Sequence, residues 1–199
     1  MNIKICGLFR DDDIDYVNEA RPDYIGFVFA ESRRQVRPAK AAQLRQKLLG
    51  AIIPAGVFVN APVADIAALY RDGVITIAQL HGTETAAYIT RLKEASAAAG
   101  KSPIPVIKTI FSKDLAAGTE PPENADFCLV DSGAGSGKIF DWNIIKPLGE
   151  KRQPLFLAGG INLGNIEQAM ALNPFAVDIS SGAETEGVKD REKILRLVE

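Results

Sequence analysis

Two ionisable side chains stand where apolar segments of the sequence end, and both can transfer protons. Cys6 lies near the end of the segment Ile3–Leu8, and Asp131 closes another apolar run just before a glycine-rich stretch. A thiol, with an ordinary pKa of about 8.5, can act as a base when a nearby cation favours the thiolate. Lys4 lies two residues before Cys6 and would share its strand face. The sequence therefore offers a candidate acid–base pair.

Each member of this pair also has an ordinary structural interpretation. A cysteine in an apolar segment commonly packs as a small hydrophobe, and an aspartate after a strand commonly caps the following loop. The second cysteine, Cys128, has the opposite strand parity to Asp131, so we expect it to pack toward the helices. We assign Cys128 a structural role only.

Two glycine-bearing turns suggest an anion site. Gly159 and Gly160 follow one apolar run, and Ser180, Ser181 and Gly182 follow the next. Glycines let a ligand approach the backbone closely, and exposed amides at such turns can bind phosphate. A single turn of this kind is weak evidence, because tight turns use glycine anyway. Two in succession predict a phosphate site.

Arg34 and His81 are further candidates for ligand contacts. Arg34 belongs to a basic run, residues 32–37, and an arginine can hold a carboxylate with two hydrogen bonds; the alternative is a solvated loop. His81, the sole histidine, is too isolated for a multi-histidine metal site, and it either lines a site or caps a strand. Neither a dinucleotide fingerprint nor P-loop spacing is present. We expect no metal and no cofactor.

The composition narrows the class of protein. The 199 residues carry a formal net charge of −2, which disfavours a nucleic acid or an anionic membrane as the main partner. Two cysteines and no secretory leader predict a cytoplasmic protein with reduced thiols. With 47% hydrophobic residues, the chain can bury one sizeable core, and we expect a single domain over residues 1–199.

Eight apolar runs of strand length alternate with helical patterns along the chain. The predicted strands are Ile3–Leu8, Tyr24–Phe29, Ile52–Val59, Ile75–Leu80, Ile104–Ile110, Phe127–Val130, Leu155–Ala158 and Ala176–Ile179. The predicted helices are Ile14–Ala20, Ala39–Leu49, Val63–Tyr70, Thr85–Ala99, Asn143–Leu148, Asn165–Leu172 and Arg191–Val198.

This alternation predicts an α/β fold with parallel strands. An open doubly wound sheet is the rival architecture, but eight units favour a closed (β/α)8 TIM barrel. Gly118, Pro121 and Pro122 predict a short or irregular fifth helix. In such a barrel the loops at the carboxyl ends of the strands form the active site, so the candidate residues above would converge at one mouth.

Six ordered motifs, spread over nearly the whole chain, resemble those of the phosphoribosylanthranilate isomerases. They are residues 4–8 (KICGL), 56–60 (GVFVN), 79–82 (QLHG), 140–142 (FDW), 157–160 (LAGG) and 177–182 (VDISSG). The resemblance implies a cofactor-free Amadori rearrangement in tryptophan biosynthesis, with Asp131 as general acid and Cys6 as general base. It implies that Arg34 binds the substrate carboxylate and that the two glycine-bearing turns bind its phosphate. From the same motifs we add Gln79, His81 and Asp178 to the substrate-binding residues.

The chain departs from this pattern at two positions, and other functions stay open. Arg33 stands where many relatives have proline, and Phe9 where threonine is frequent; the loop 132–138 is compact. The nearest alternative is the aminoaldose isomerase of histidine biosynthesis, which uses two aspartates, so Cys6 argues against it. A non-catalytic sugar-phosphate binding barrel is the alternative from another class. We expect a small-molecule substrate as the only partner, and a monomer.

Overall fold

The computed structural model describes residues 1–98, 100, 102–133, 141–142, 144–145 and 153–199. Eight strands form the sheet: β1 (Asn2–Cys6), β2 (Tyr24–Val28), β3 (Ile53–Phe58), β4 (Ile77–Leu80), β5 (Val106–Phe111), β6 (Phe127–Asp131), β7 (Leu155–Leu157) and β8 (Ala176–Ile179). The helices of the described residues are α1 (Asp11–Ala20), α2 (Pro38–Lys47), α3 (Val63–Arg71), α4 (Ala86–Ala97), α5 (Ser112–Ala116), α6 (Ile166–Ala171) and α7 (Arg191–Val198).

The eight strands close into a barrel in chain order. Every neighbouring pair is parallel, and β8 returns to pair with β1, where Lys4 lies opposite Asp178. The predicted (β/α)8 barrel is thus confirmed. All strand carboxyl ends meet at one mouth because parallel strands joined by helices run in the same direction.

Alternation along the strands divides the buried side chains between two layers. The barrel interior is filled by one small cluster, in which the Tyr24 and Phe156 rings meet edge to face at 5.4 Å. The remaining members of this cluster are Ala55, Ile77, Ile107, Leu129, Ala158 and Ala176. A larger cluster lies between strands and helices and contains Cys128, as parity predicted. The interior formed by the described residues is therefore packed, as in other barrels of this kind.

Particular residues mark the starts of two helices. Pro38 begins α2, and Asp190 precedes α7, where its side chain accepts a hydrogen bond from the Lys193 amide. The fifth helix, α5, has only five residues, and the glycine and prolines that follow it, Gly118, Pro121 and Pro122, predicted such a short helix. The helix predicted over Asn143–Leu148 lies mostly outside the described residues. None of the helices described has the length and apolar character needed to cross a membrane.

A small hairpin follows the last barrel strand. A 3₁₀ turn, Ser181–Ala183, leads into β9 (Glu184–Thr185), which pairs antiparallel with β10 (Val188–Lys189). Glu184 and Lys189 are register partners in this hairpin, and both side chains are buried. The hairpin thereby brings two charged groups beneath the mouth of the barrel.

Candidate active site

A cavity of about 330 Å³ opens at the carboxyl ends of the strands. Its size is typical of a site for a small-molecule ligand. Ten of the predicted site residues line it: Cys6, Arg34, Gln79, His81, Asp131, Gly159, Gly160, Asp178, Ser180 and Ser181. The eleventh, Gly182, lies behind this surface, because a Cβ there would stand 1.9 Å from the carbonyl oxygen of Ile161. Gly182 therefore lets the two glycine-bearing turns pack together.

Cys6 is the last residue of β1, and its thiol sits in a space that a glycine keeps open. A Cβ at Gly26, its register partner on β2, would lie only 2.6 Å from the Cys6 sulfur. The Cys6 carbonyl accepts a hydrogen bond of 3.2 Å from the Ser180 hydroxyl. Burial raises the pKa of the thiol, and the charge of Lys4 opposes that effect. The thiol is thus buried next to a cation.

Asp131 ends β6 with its carboxyl group in the same cavity. Its Oδ1 accepts hydrogen bonds from the Gly133 amide at 3.2 Å and from the Ser132 hydroxyl at 3.4 Å. Burial raises the pKa of Asp131, against the opposing effect of His81. A carboxyl group in this environment keeps its proton more readily than one in water, as a general acid requires.

His81 lies beside Asp131 at the wall of the cavity. Its Nε2 is 3.7 Å from Asp131 Oδ2, and its Nδ1 is 3.2 Å from the Thr109 hydroxyl on β5. Burial lowers the pKa of His81, which the charge of Asp131 only partly offsets. Sequence reasoning placed His81 at the site but missed Thr109, whose side chain fixes the ring orientation. Their contact joins positions 28 residues apart on neighbouring strands.

Arg34 is held by a carboxylate that the sequence interpretation did not single out. Its Nε and Nη2 donate to the two oxygens of Glu184 at 2.6 and 2.9 Å. Arg33 donates to the same carboxylate at 2.7 Å, and Lys189 does so at 2.7 Å. The side-chain stem of Arg34 lies on Gly7, whose added Cβ would stand 2.4 Å from the arginine Cδ.

Glu184 is thus bound by three cations, of which Arg34 lines the cavity. Their net charge with Glu184 is positive, so an anionic ligand group placed beside Arg34 meets an attractive field. The hydrogen bonds to Glu184 raise the pKa of Arg34, which keeps its guanidinium charged. The position of Glu184, directly after the second glycine-bearing turn, was the available sequence signal. Its partners lie as far as 151 residues away in sequence.

The first glycine-bearing turn has a backbone conformation that only glycine adopts readily. Gly159 and Gly160 have φ values of 90° and 71°, a region that favours glycine. The Gly160 carbonyl accepts hydrogen bonds from the side-chain amides of Asn162 and Asn165, at 3.0 and 2.9 Å. In the adjacent turn, Lys189 donates to the Ser180 carbonyl at 2.9 Å. These contacts fix both turns with Gly160 and Ser180 at the cavity surface.

Gln79 lines the cavity and contains a buried acceptor atom that lacks a partner in the described part of the chain. Its side chain is 2% exposed, and Oε1 has no hydrogen-bond partner among the described residues. A buried acceptor left unpaired costs about 1–3 kcal/mol, so such an atom at a cavity wall indicates a place for a donor of the ligand. The described residues hold no cluster of three or more His, Cys, Asp or Glu side chains arranged for a metal ion.

These features define a class of protein: a (β/α)8 barrel with a thiol, a carboxyl group, an arginine and two glycine-bearing turns around one cavity at its mouth. A model of the family "N-(5'phosphoribosyl)anthranilate (PRA) isomerase" matches residues 3–199. The chain therefore belongs to the phosphoribosylanthranilate isomerase family, as its motifs indicated.

Individual relatives agree with this assignment. The N-(5'-phosphoribosyl)anthranilate isomerase of Endomicrobium trichonymphae is 46% identical, over 98% of this chain and 96% of its own. The crystal structure of the Thermus thermophilus enzyme covers 100% of this chain and 96% of its own, with 31% identity and a TM-score of 0.84. Another solved structure of a phosphoribosyl anthranilate isomerase, 29% identical with a TM-score of 0.79, contains reduced 1-(o-carboxyphenylamino)-1-deoxyribulose 5-phosphate; it covers 100% of this chain and 96% of its own.

Proposed function

We propose that this barrel isomerises N-(5'-phosphoribosyl)anthranilate to 1-(2-carboxyphenylamino)-1-deoxyribulose 5-phosphate with Asp131 as general acid and Cys6 as general base. The observation that carries the proposal is that one cavity holds a half-buried carboxyl group, a buried thiol and an oriented arginine. The reaction needs two proton transfers and an anion at each end of the substrate. The cavity offers a group for each of these tasks.

Ring opening uses the acid. Asp131 gives its proton to the furanose ring oxygen, and the bond between that oxygen and C1 breaks. The nitrogen lone pair forms the C1–N double bond, which leaves a protonated Schiff base. The raised pKa of Asp131, caused by burial, favours the protonated starting state that this step consumes. His81 lies within 3.7 Å of the carboxylate that results.

Proton removal from C2 uses the base. The Cys6 thiolate takes the proton, the C2–H electron pair forms a C1–C2 double bond, and the nitrogen recovers its lone pair. The resulting enolamine carries its hydroxyl group on C2. A proton is added at C1 and the C2 hydroxyl gives up its proton, so the C2–O bond becomes the carbonyl of the amino ketone. A positioned acid or base contributes about 10²- to 10⁴-fold to such steps.

Binding groups hold the two ends of the substrate apart. The glycine-bearing turns around Gly160 and Ser180 take the phosphate, and Arg34 takes the aromatic carboxylate through its remaining N–H groups. Gln79 Oε1 accepts a hydrogen bond from the sugar between them, which pairs the buried acceptor. Asp178, also at the cavity wall, is a further acceptor for the sugar.

The proposed function also concerns the pathway, the cellular location and the assembly of the enzyme. The rearrangement is a step of tryptophan biosynthesis, and we assign the protein to the cytoplasm, where both thiols stay reduced. Cys6 and Cys128 are unpaired. We further propose that the chain acts as one domain and as a monomer.

The decisive test follows the fluorescence of freshly generated N-(5'-phosphoribosyl)anthranilate in the presence of the purified protein. We expect rapid decay with the wild type, and a loss of at least 100-fold, of the order given by a positioned acid or base, in Cys6→Ala and Asp131→Asn. Cys128→Ala is the matched control, because Cys128 is buried in the layer between strands and helices. Folding of each variant is checked by circular dichroism. Full activity in either site variant would remove the role proposed for that residue.

A further inference from the structure

Lys4 is a lysine with no exposure to solvent. Its Nζ donates to both oxygens of Asp178, at 2.8 and 2.9 Å, across the seam where β8 meets β1. Burial alone would lower the pKa of Lys4, but the Asp178 charge raises it overall, so the ammonium form is kept. A buried charge pair contributes little net stability compared with apolar packing, so its presence calls for another explanation.

The Lys4 ammonium has a second neighbour in the catalytic machinery. Lys4 and Cys6 lie two residues apart on β1 and share one face of that strand, so the ammonium and the thiol lie on the same side of the barrel wall. The charge of Lys4 favours the thiolate form of Cys6. The other charged groups that act on this thiol are Asp178 on β8, Lys189 on β10 and Arg34 on the loop after β2. Both Lys189 and Arg34 donate to Glu184 instead. Among the described residues, Lys4 is thus the cation that shares a strand face with the thiol and is not bound to Glu184.

We propose that Lys4 is a positioning residue for catalysis: its ammonium, held by Asp178 on the strand face that carries Cys6, favours the thiolate form of Cys6 inside the cavity. The inference rests on the role of Cys6 as the base in the proposed function. Asp178 acts in the opposite sense, because it competes for the same ammonium and its own charge disfavours the thiolate. Lys4 and Asp178 together set how much thiolate is present at neutral pH.

This arrangement predicts opposite effects for the two partners. Lys4→Met removes the cation and raises the pKa of the Cys6 thiol, so thiolate forms only at higher pH. Asp178→Asn leaves the ammonium to Cys6 alone and lowers that pKa. An ion pair with a purely structural role would not move the thiol titration in opposite directions.

The experiment measures the alkylation rate of Cys6 by iodoacetamide as a function of pH, in a Cys128→Ala background so that one thiol reports. The thiolate sulfur displaces iodide and forms a thioether, so the rate follows the thiolate fraction. At pH 7 we expect alkylation about tenfold slower in Lys4→Met, the change that one pKa unit produces, and faster in Asp178→Asn. Lys4→Arg keeps the charge and should restore most of the rate.

The double variant Lys4→Met/Asp178→Asn guards against misfolding, because it leaves no buried carboxylate without its cation. Its alkylation midpoint should lie above that of Asp178→Asn, a difference that isolates Lys4. Equal midpoints in these two proteins, or shifts in the same direction for both single variants, would overturn the proposal.

The isomerase assay supplies an independent readout. In Lys4→Met, kcat should fall more than KM changes, and raising the pH should recover part of it. Because alkylation needs no turnover, it tests the effect of Lys4 on the thiol even if Cys6→Ala were to keep isomerase activity. Isomerase activity in Cys6→Ala would refute the role of Cys6 as the base, but the effect of Lys4 on the pKa of the thiol would still be measured.

Discussion

Arg34 is a side chain whose orientation is set by the protein itself. Glu184 holds two of its nitrogens, and Gly7 provides the flat surface on which its stem lies. An arginine fixed in this way loses little side-chain entropy when it binds a carboxylate. Arg33 contrasts with it, since its side chain is 57% exposed and makes one hydrogen bond to the same carboxylate. Arg34 is therefore the arginine suited to specific binding.

Arg34→Lys keeps the charge but loses the planar fork, and we expect it to raise KM with little change in kcat. Charge-assisted hydrogen bonds contribute about 1.5–3 kcal/mol, which corresponds to an increase in KM of about tenfold or more. Arg33→Lys is the matched control and should change KM less than about twofold, as expected for an exposed ion pair. Steady-state kinetics on both variants make the comparison; equal effects would contradict the assignment of the carboxylate to Arg34.

Residue types at the strand ends predicted most of the residues that line this cavity. The charged residues that pair with them could not be predicted from the sequence. Cys6 and Asp131 could be chosen because each closes an apolar run. Glu184 could not be linked to Arg34, because 150 residues separate them and only barrel closure brings them together. The same holds for Lys4 and Asp178, which are 174 residues apart.

At the scale of elements, β1 and β2 show how neighbouring strands prepare a reactive group. The first strand ends at Cys6, two residues earlier than predicted, because Gly7 turns the backbone with φ of 86°. On β2, Gly26 leaves the space that the Cys6 sulfur fills. Apolar patterning predicted both strands, whereas it carries no information on where a strand must leave a gap.

Gly26→Ala tests this gap directly. Because the new methyl group would stand 2.6 Å from the Cys6 sulfur, the thiol must move. A displacement of about 1 Å of a catalytic group can cost about 100-fold in rate, so we expect a loss of this order in kcat while the barrel stays folded. Gly50→Ala is the control, since a Cβ there meets no atom within 4 Å. Normal kcat in Gly26→Ala would show that the thiol position is not critical.

On the scale of the whole molecule, barrel closure turns distant sequence segments into one mouth. The count of eight strand-like runs predicted the closed architecture, and the register of β1 with β8 completes it. Lys4 and Asp178 meet at this seam, so the proposed control of the base depends on the last strand of the barrel being in place. A sequence pattern predicts the number of βα units. Which side chains of these units lie opposite each other at the mouth is known only from the three-dimensional structure.

The oligomeric state also belongs to this scale, and we predict a monomer. The large apolar side chains exposed among the described residues are Met1, Leu49, Ile53 and Val59. Ile53 begins β3 and Val59 follows its end, so these two lie at opposite ends of the barrel and do not form one patch. Stable homodimers bury continuous, largely apolar surfaces. The exposed apolar side chains of the described residues do not form such a surface. Light scattering after size exclusion should give a mass near 21.4 kDa at every concentration tested. A mass twice as large that persists on dilution would instead require an interface built from polar surface or from residues outside the described part of the chain.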